Sequence, residues 1–154
     1  MPRSPYGAAK LAVEEAIGAA ASIGRLGAIS LCLFNAASRT PFGGTPSPLA
    51  LIPQTVAAGT GRTPVLAIDG DSSVLRDFVH VRDVAAAVAA GLARTPPGGH
   101  HAYNIGTTPA SELDVLAEVG RAAGRAVPVQ HRSADETDTS YLAADTADTR
   151  AALD

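Results

Sequence analysis

The chain has no tryptophan, three phenylalanines, three tyrosines and a single cysteine among its 154 residues. Alanine accounts for 32 residues, so few large side chains remain, and the expected core is thin, helix-rich and built from Ala, Leu and Val. The lone Cys32 excludes an internal disulfide, and a cytoplasmic location is the default expectation for such a chain.

Charged residues are also few, and neither sign strongly predominates. Only 18% of the residues are charged, the formal net charge is -3, and no basic cluster is present. A nucleic-acid or anionic membrane partner is therefore not expected. The apolar runs are too short to span a membrane, and residues 1–30 do not have the pattern of a signal peptide.

Lysine occurs only once, because the other eleven of the 12 basic residues are arginines. This residue, Lys10, could occupy a position that needs a compact ammonium group rather than a planar guanidinium. The alternative is chance in an arginine-biased genome.

Helical and strand patterns alternate along the whole chain, which predicts an α/β fold with a largely parallel sheet. Helices are expected at about 5–21, 49–58, 83–93, 112–123 and 145–153, and strands at 28–34, 65–68, 76–81, 101–105 and 127–130. The 28–34 strand is nearly all apolar, which is typical of a strand buried on both faces. Asp83 is expected to cap its helix, Ser111 to open a capping box, and Asp69–Ser72 to form a hairpin turn.

Tyr6 and Lys10 lie four residues apart on the first predicted helix and therefore share a face. A nearby ammonium favours the ionised form of a phenol, so Tyr6 could take a proton from an alcohol. The alternative is an aromatic residue at a helix start beside a solvated amine.

Four motifs in order favour the catalytic interpretation of Tyr6 and Lys10: SPYGAAKLAVE from Ser4, LFN from Leu33, RDFVHVRDVAAA from Arg76 and YNIG from Tyr103. Together they resemble the extended short-chain dehydrogenase/reductase family, and within it the NAD-dependent sugar-nucleotide epimerases and dehydratases. The resemblance covers essentially the whole chain, but it does not specify the substrate.

The resemblance implies roles for particular residues. Tyr6 resembles the family's catalytic base, and Lys10 the lysine that holds the nicotinamide ribose. Phe34 would border the nicotinamide as a further cofactor contact. The residues implied in contacts with a nucleotide sugar of the UDP type are Asn35, Arg76, Arg132 and Asp135.

Each of these substrate positions has an alternative that does not involve a ligand. Asn35 could cap a turn, Arg76 and Asp77 could form an exposed ion pair, and Arg132 with Asp135 could belong to a solvated loop. The adjacent pair His100 and His101 suggests a metal, but no third ligand at a suitable spacing supports that interpretation.

The chain also departs from the family pattern. It has no Gly-rich turn to hold the NAD pyrophosphate, and it lacks the catalytic Ser or Thr upstream of the tyrosine. Ala50 stands where an asparagine is common, Phe78 where a tyrosine is frequent, and Ser-Ala-Asp follows Arg132 in place of a Gly-containing turn. These changes put the UDP-sugar substrate in doubt more than the fold.

We therefore expect the chain to correspond to the C-terminal half of a Rossmann-type enzyme and to be inactive by itself. Residues 1–48 and about 76–106 would be sheet elements and catalytic helix, and about 49–75 and 107–154 the substrate-binding part. The cofactor implied is NAD, and a homodimer or a partner chain would complete the sheet. The alternative is a non-catalytic remnant or interaction subunit that binds a nucleotide sugar or a partner chain.

Overall fold

The computed structural model describes residues 2, 4–24, 26–38, 50–133 and 141–153. Within them the helices are α1 (Pro5–Ser22), α2 (Leu51–Gly59), α3 (Val81–Arg94), α4 (Glu112–Ala123) and α5 (Ala147–Leu153). The strands are β1 (Ala28–Leu33), β2 (Asn35–Ala37), β3 (Leu66–Asp69), β4 (Leu75–His80), β5 (His100–Ile105), β6 (Thr108–Ser111), β7 (Val129–Arg132) and β8 (Tyr141–Leu142). None of these helices is long and apolar enough to cross a bilayer.

The chain divides into two compact units. Unit 1 comprises residues Met1–Phe34, Val81–Gly106 and Ala144–Asp154, and unit 2 comprises Asn35–His80 and Thr107–Ala143. The chain passes from one unit to the other several times, so each unit is assembled from segments that are distant in sequence.

Unit 1 is built on the parallel pair β1 and β5, which align from Ala28 opposite His100 to Leu33 opposite Ile105. Helix α1 packs on both strands, α3 contacts β1, and α5 contacts β5 and α3. The His100 ring lies against Gly18 of α1, and its Nε2 is 2.9 Å from the Ser30 hydroxyl. These contacts fix the helix over the strand pair.

Unit 2 contains two sheets. Strand β4 pairs in parallel with β2 and β8 and antiparallel with β6, while β3 pairs in parallel with β7. Helices α2 and α4 contact each other. The buried core consists of Ala58, Leu66 and Ile68, with Leu116, Val127 and Val129 packed against it.

The predicted α/β class with mostly parallel pairing is confirmed. The capping of α4 is confirmed as well: the Ser111 hydroxyl accepts from the Asp114 amide, and the Asp114 carboxylate accepts from the Ser111 amide. Helix α1 begins as its sequence predicts, with the Ser4 hydroxyl accepting from the Gly7 amide at 3.1 Å and Pro5 in the first turn.

Several local predictions are wrong. β1 is not buried on both faces: the helices α1 and α3 contact it but leave its last two residues exposed, and Leu33 is 47% exposed. The Asp69–Ser72 turn does not close a hairpin, since β3 pairs with β7 and β4 with other strands. Asp83 lies in the first turn of α3 rather than at its cap, because the helix already begins at Val81.

The sequence, rich in Gly, Pro, Ser and Thr, predicts a loop over 35–48 between the strand 28–34 and the helix 49–58, but Asn35–Ala37 form strand β2, which pairs with β4. Residues 39–49 lie outside the described residues. Strands β6 and β8 were not predicted, since each has only a few residues and depends on pairing with β4.

Candidate functional site

The first turns of α1 hold the tyrosine and lysine that the sequence singles out. The Lys10 ammonium nitrogen is 5.4 Å from the centre of the Tyr6 ring, within the range of a cation–π contact. The Tyr6 side chain is 72% exposed, and Lys10 is exposed as well. A phenol and an ammonium are therefore held together on the surface, where a ligand can reach both.

Phe34 and Asn35 lie where the chain leaves β1 and passes from unit 1 to unit 2. The half-buried Phe34 donates its amide to the Ile105 carbonyl at 3.2 Å, extending the pairing of β1 with β5. Asn35 begins β2 and donates its side-chain amide to the Asp77 carbonyl at 3.0 Å. Its side chain thus joins two strands of the β4 sheet.

Arg76 lies on β4, and its side chain is 25% exposed. Its Nε is 3.8 Å from Oε1 of Glu112, the first residue of α4. The neighbouring Asp77 is fully buried and accepts the Thr107 amide at 2.6 Å. The alternative of an exposed Arg76–Asp77 ion pair is therefore wrong, because successive residues of a strand point to opposite faces and Asp77 is not exposed.

Arg132 ends β7, opposite Asp69 in the register, and is exposed. Its backbone carbonyl accepts the Gly70 amide at 3.0 Å. Asp135, the residue predicted to act with it, lies outside the described residues.

The candidate residues fall into two groups. Tyr6, Lys10 and Phe34 belong to unit 1, and Asn35, Arg76 and Arg132 belong to unit 2. In unit 1, Tyr6 and Lys10 are in contact through the ring, and in unit 2, Asn35 and Arg76 lie on the paired strands β2 and β4.

The two histidines considered as metal ligands have other contacts. His100 bonds with Ser30, and His101 stacks on Tyr103 with ring centres 6.0 Å apart. The described residues contain no cluster of three or more His, Cys, Asp or Glu side chains suited to a metal.

Cys32 and Asp71 lie outside these groups and have shifted pKa values. Partial burial raises the pKa of the Cys32 thiol, and the nearby Glu14 carboxylate, 3.6 Å from the sulfur, raises it further. Hydrogen bonding to the Ser73 side chain, and a second hydrogen bond from the Ser73 amide at 2.9 Å, lower the pKa of Asp71. Cys32 is therefore a poor nucleophile at neutral pH, since the thiolate is the reactive form.

The burial of two acidic residues, Asp77 and Glu112, was not predicted from the sequence. Asp77 follows the alternation of β4: it shares a face with Val79, which is 1% exposed, so the strand period could have indicated its burial. Glu112 stands next to the Ser111 cap, where a carboxylate is normally explained by the helix start alone. Its pairing with Arg76 depends on the packing of α4 against β6 and left no signal in the sequence.

Mostly parallel strands that alternate with helices define the chain as an α/β protein, and the Tyr6–Lys10 pair is part of its resemblance to the short-chain dehydrogenases/reductases. The model of the NAD dependent epimerase/dehydratase family matches residues 1–106. The chain belongs to this family.

Known relatives agree with this assignment. The UDP-glucose 4-epimerase of Azospirillum brasilense is 36% identical over 83% of this chain and 40% of its own length. A UDP-glucose 4-epimerase structure from Brucella ovis in complex with NAD superimposes with a TM-score of 0.83 at 32% identity, over 99% of this chain and 51% of that one.

A UDP-glucose-4-epimerase from Stenotrophomonas maltophila, solved with bound NAD and formylated UDP-arabinopyranose, gives a TM-score of 0.82 at 27% identity. This match covers 99% of the present chain and 50% of the solved one. The chain thus spans about half the length of the proteins that it matches.

Proposed function

We propose that this chain is the C-terminal half of an NAD-dependent nucleotide-sugar epimerase or dehydratase of the UDP-glucose 4-epimerase type, and that it is inactive without the rest of the fold. The observation that carries the proposal is the Tyr6–Lys10 pair at 5.4 Å, exposed on the first helix of a member of this family. Unit 1 would retain elements of the dinucleotide-binding part, and unit 2 would form the substrate-binding part.

In the proposed reaction Tyr6 is the general base. Its phenolate oxygen takes the proton from a sugar hydroxyl as the carbon bearing that hydroxyl is oxidised. The Lys10 ammonium lies 5.4 Å from the centre of the same ring, beside the group that takes the proton. NAD, when bound, supplies the acceptor for the hydride that leaves the same carbon.

The residues of this chain fit only one end of that cofactor. Lys10 is exposed and carries three donors that suit ribose hydroxyls, and the Phe34 ring is an apolar group that can border a nicotinamide. The sequence contains no Gly-x-Gly-x-x-Gly stretch of the kind that holds the pyrophosphate. Cofactor binding therefore requires a dinucleotide-binding segment in addition to these residues.

The substrate side is assigned to unit 2. A guanidinium can bind two phosphate oxygens at once, which suits Arg76 to a diphosphate and Arg132 to a second contact with the same group. Asn35, which pairs with Phe78 on the strand that also carries Arg76, offers an amide that can hydrogen-bond the nucleotide sugar. Asp135 is proposed to bind the ribose.

The test is calorimetric titration of the 154-residue chain with UDP-glucose. We expect measurable binding that weakens at least about tenfold in Arg76→Ala, since a charge-assisted contact to phosphate is lost. The matched control is Arg121→Ala, which removes an equally long cation from the exposed surface of α4. Unchanged affinity in Arg76→Ala would refute the role of Arg76.

A second candidate function is a non-catalytic subunit that binds a nucleotide sugar or a partner chain. The observation that favours it is the lack of a Gly-x-Gly-x-x-Gly stretch in a chain whose described substrate candidates, Asn35, Arg76 and Arg132, belong to unit 2. The two candidates differ in their response when a dinucleotide-binding segment is supplied. The enzyme half would gain epimerase or dehydratase turnover that Tyr6→Phe abolishes, whereas the binding subunit would gain none.

A further inference from the structure

The buried carboxylate of Glu112 lies beside the arginine assigned to the diphosphate. Glu112 is 8% exposed, and its Oε1 is 3.8 Å from Nε of Arg76. We propose that Glu112 is a positioning residue that orients the Arg76 guanidinium for phosphate binding. The inference rests on the proposed function, because it presupposes that Arg76 binds the diphosphate.

The position of Glu112 is fixed by the backbone around it. The Glu112 amide donates to the Val74 carbonyl at 3.3 Å, and the next amide, that of Leu113, donates to the Ser72 carbonyl at 3.3 Å. Ser111, just before it, is held in the capping box with Asp114. The start of α4 is therefore attached to the segment that leads into β4, and Arg76 follows on that strand.

A negative charge at this point has two sources of stabilisation. Glu112 is the first residue of α4, where the helix dipole favours an anion, and the Arg76 guanidinium supplies the opposite charge. A carboxylate buried to this extent would be costly without such a partner. The two side chains therefore constrain each other, and the less exposed one, Glu112, is the fixed member.

The contact is made at the Nε edge of the guanidinium. At 3.8 Å the contact is an ion pair rather than a hydrogen bond, so it biases the orientation of the planar guanidinium and with it the direction of the two terminal nitrogens, which carry most of its donors. An arginine oriented in advance loses less conformational freedom when it binds an anion. The charge of Glu112 also reduces the net positive charge near Arg76, so the gain is expected in orientation rather than in long-range attraction.

The experiment measures UDP and uridine binding by the 154-residue chain and its variants. We expect Glu112→Ala to weaken UDP binding about tenfold while leaving uridine, which has no phosphate, within about twofold. Glu112→Gln, which keeps the shape and an acceptor oxygen, should recover part of the loss. The matched control is Glu118→Ala, which removes an exposed carboxylate from the same helix.

If Glu112 only supported the fold, Glu112→Ala would weaken UDP and uridine binding equally, and that result would overturn the proposal. So would a further loss of UDP affinity when Glu112→Ala is added to Arg76→Ala, because a residue that acts through Arg76 has no effect once Arg76 is gone. Tighter UDP binding in Glu112→Gln would show that Glu112 opposes the anion instead of positioning its partner.

A readout without ligand separates this inference from the proposed function. The Nε–H signal of Arg76 in a nitrogen–proton correlation spectrum, assigned by its loss in Arg76→Ala, should shift and exchange faster with water in Glu112→Ala. An unchanged signal would refute the positioning role even if UDP binds. If the signal responds but the parent chain binds no UDP, the proposed function fails, while the orienting contact stands.

Discussion

Unit 2 buries several polar side chains, and they differ in whether they have a hydrogen-bond partner. Thr55 donates its hydroxyl to the Leu51 carbonyl at 2.8 Å, and Asp77 accepts the Thr107 amide. Ser72 is fully buried, and its hydroxyl has no hydrogen-bond partner within the described residues. Its φ angle of 64° also places it in the left-handed region, which a residue with a Cβ adopts at a cost.

Ser72→Gly is therefore expected to stabilise the protein by about 1 kcal/mol. The glycine accepts the left-handed backbone without strain and removes a buried hydroxyl that lost its hydration, and these gains exceed the extra freedom of glycine in the unfolded chain. Urea denaturation measures the change. The control is Ser73→Gly, which is expected to be neutral or destabilising, since a positive φ among the described non-glycine residues occurs only at Ser72. A lower midpoint for Ser72→Gly would contradict the assignment of strain.

At the scale of elements, unit 1 depends on close approaches at two glycines. A Cβ on Gly91 of α3 would overlap Cδ1 of Ile29 on β1, whereas a Cβ on Gly27 would overlap the backbone carbonyl of Pro96. The first obstacle is the end of a flexible side chain, and the second is main chain that cannot move without shifting the turn before β5.

Gly91→Ala and Gly27→Ala should each destabilise the chain by about 1–3 kcal/mol, the usual range for overpacking. Their response to Ile29→Val, which removes Cδ1, should differ. Ile29→Val is expected to rescue Gly91→Ala in part, so that the double variant is more stable than the sum of the single changes, and to leave the cost of Gly27→Ala unchanged. Thermal denaturation of the single variants and the two doubles measures this. Strict additivity for the Gly91 pair would contradict the packing of α3 on β1.

The elements that the sequence predicts best carry their signals locally. Helices α1 and α4 are specified by Ser4 with Pro5 and by the Ser111–Asp114 capping box, which act within a few residues. Strands β2, β6 and β8 have no such signal, because each is short and is stabilised by pairing with the distant β4.

The candidate site also contains one contact that local sequence predicts and one that depends on tertiary packing. The Tyr6–Lys10 contact follows from helical spacing, so the sequence alone could predict it. The partner of Arg76 could not be predicted, because Glu112 reaches it through tertiary packing of α4 rather than through any sequence interval. Spacing predicts neighbours on one element, and contacts between elements require the fold.

At the scale of the whole molecule, unit 1 leaves apolar surface uncovered. Leu33 on β1 is 47% exposed, and on α1 Leu11 is 41% and Val13 57% exposed. Within the described residues β1 pairs only with β5, so its other edge presents unpaired backbone groups. This surface corresponds to the side on which we propose that a dinucleotide-binding segment completes the sheet.

The chain alone is expected to bind a hydrophobic dye and to show no NAD binding at micromolar concentration. Joining it to the preceding half of the Azospirillum brasilense relative should reduce dye fluorescence and create micromolar NAD affinity, because the added strands cover the β1 edge and supply the pyrophosphate turn. In the joined protein Leu33→Lys should reverse both changes, because it places a charge in the apolar surface that the added segment covers. The control is Leu113→Lys, at an exposed leucine of α4 in unit 2, which should reverse neither change. Micromolar NAD binding by the chain alone, or a cooperatively melting monomer that binds no dye, would show that the 154 residues need no further segment.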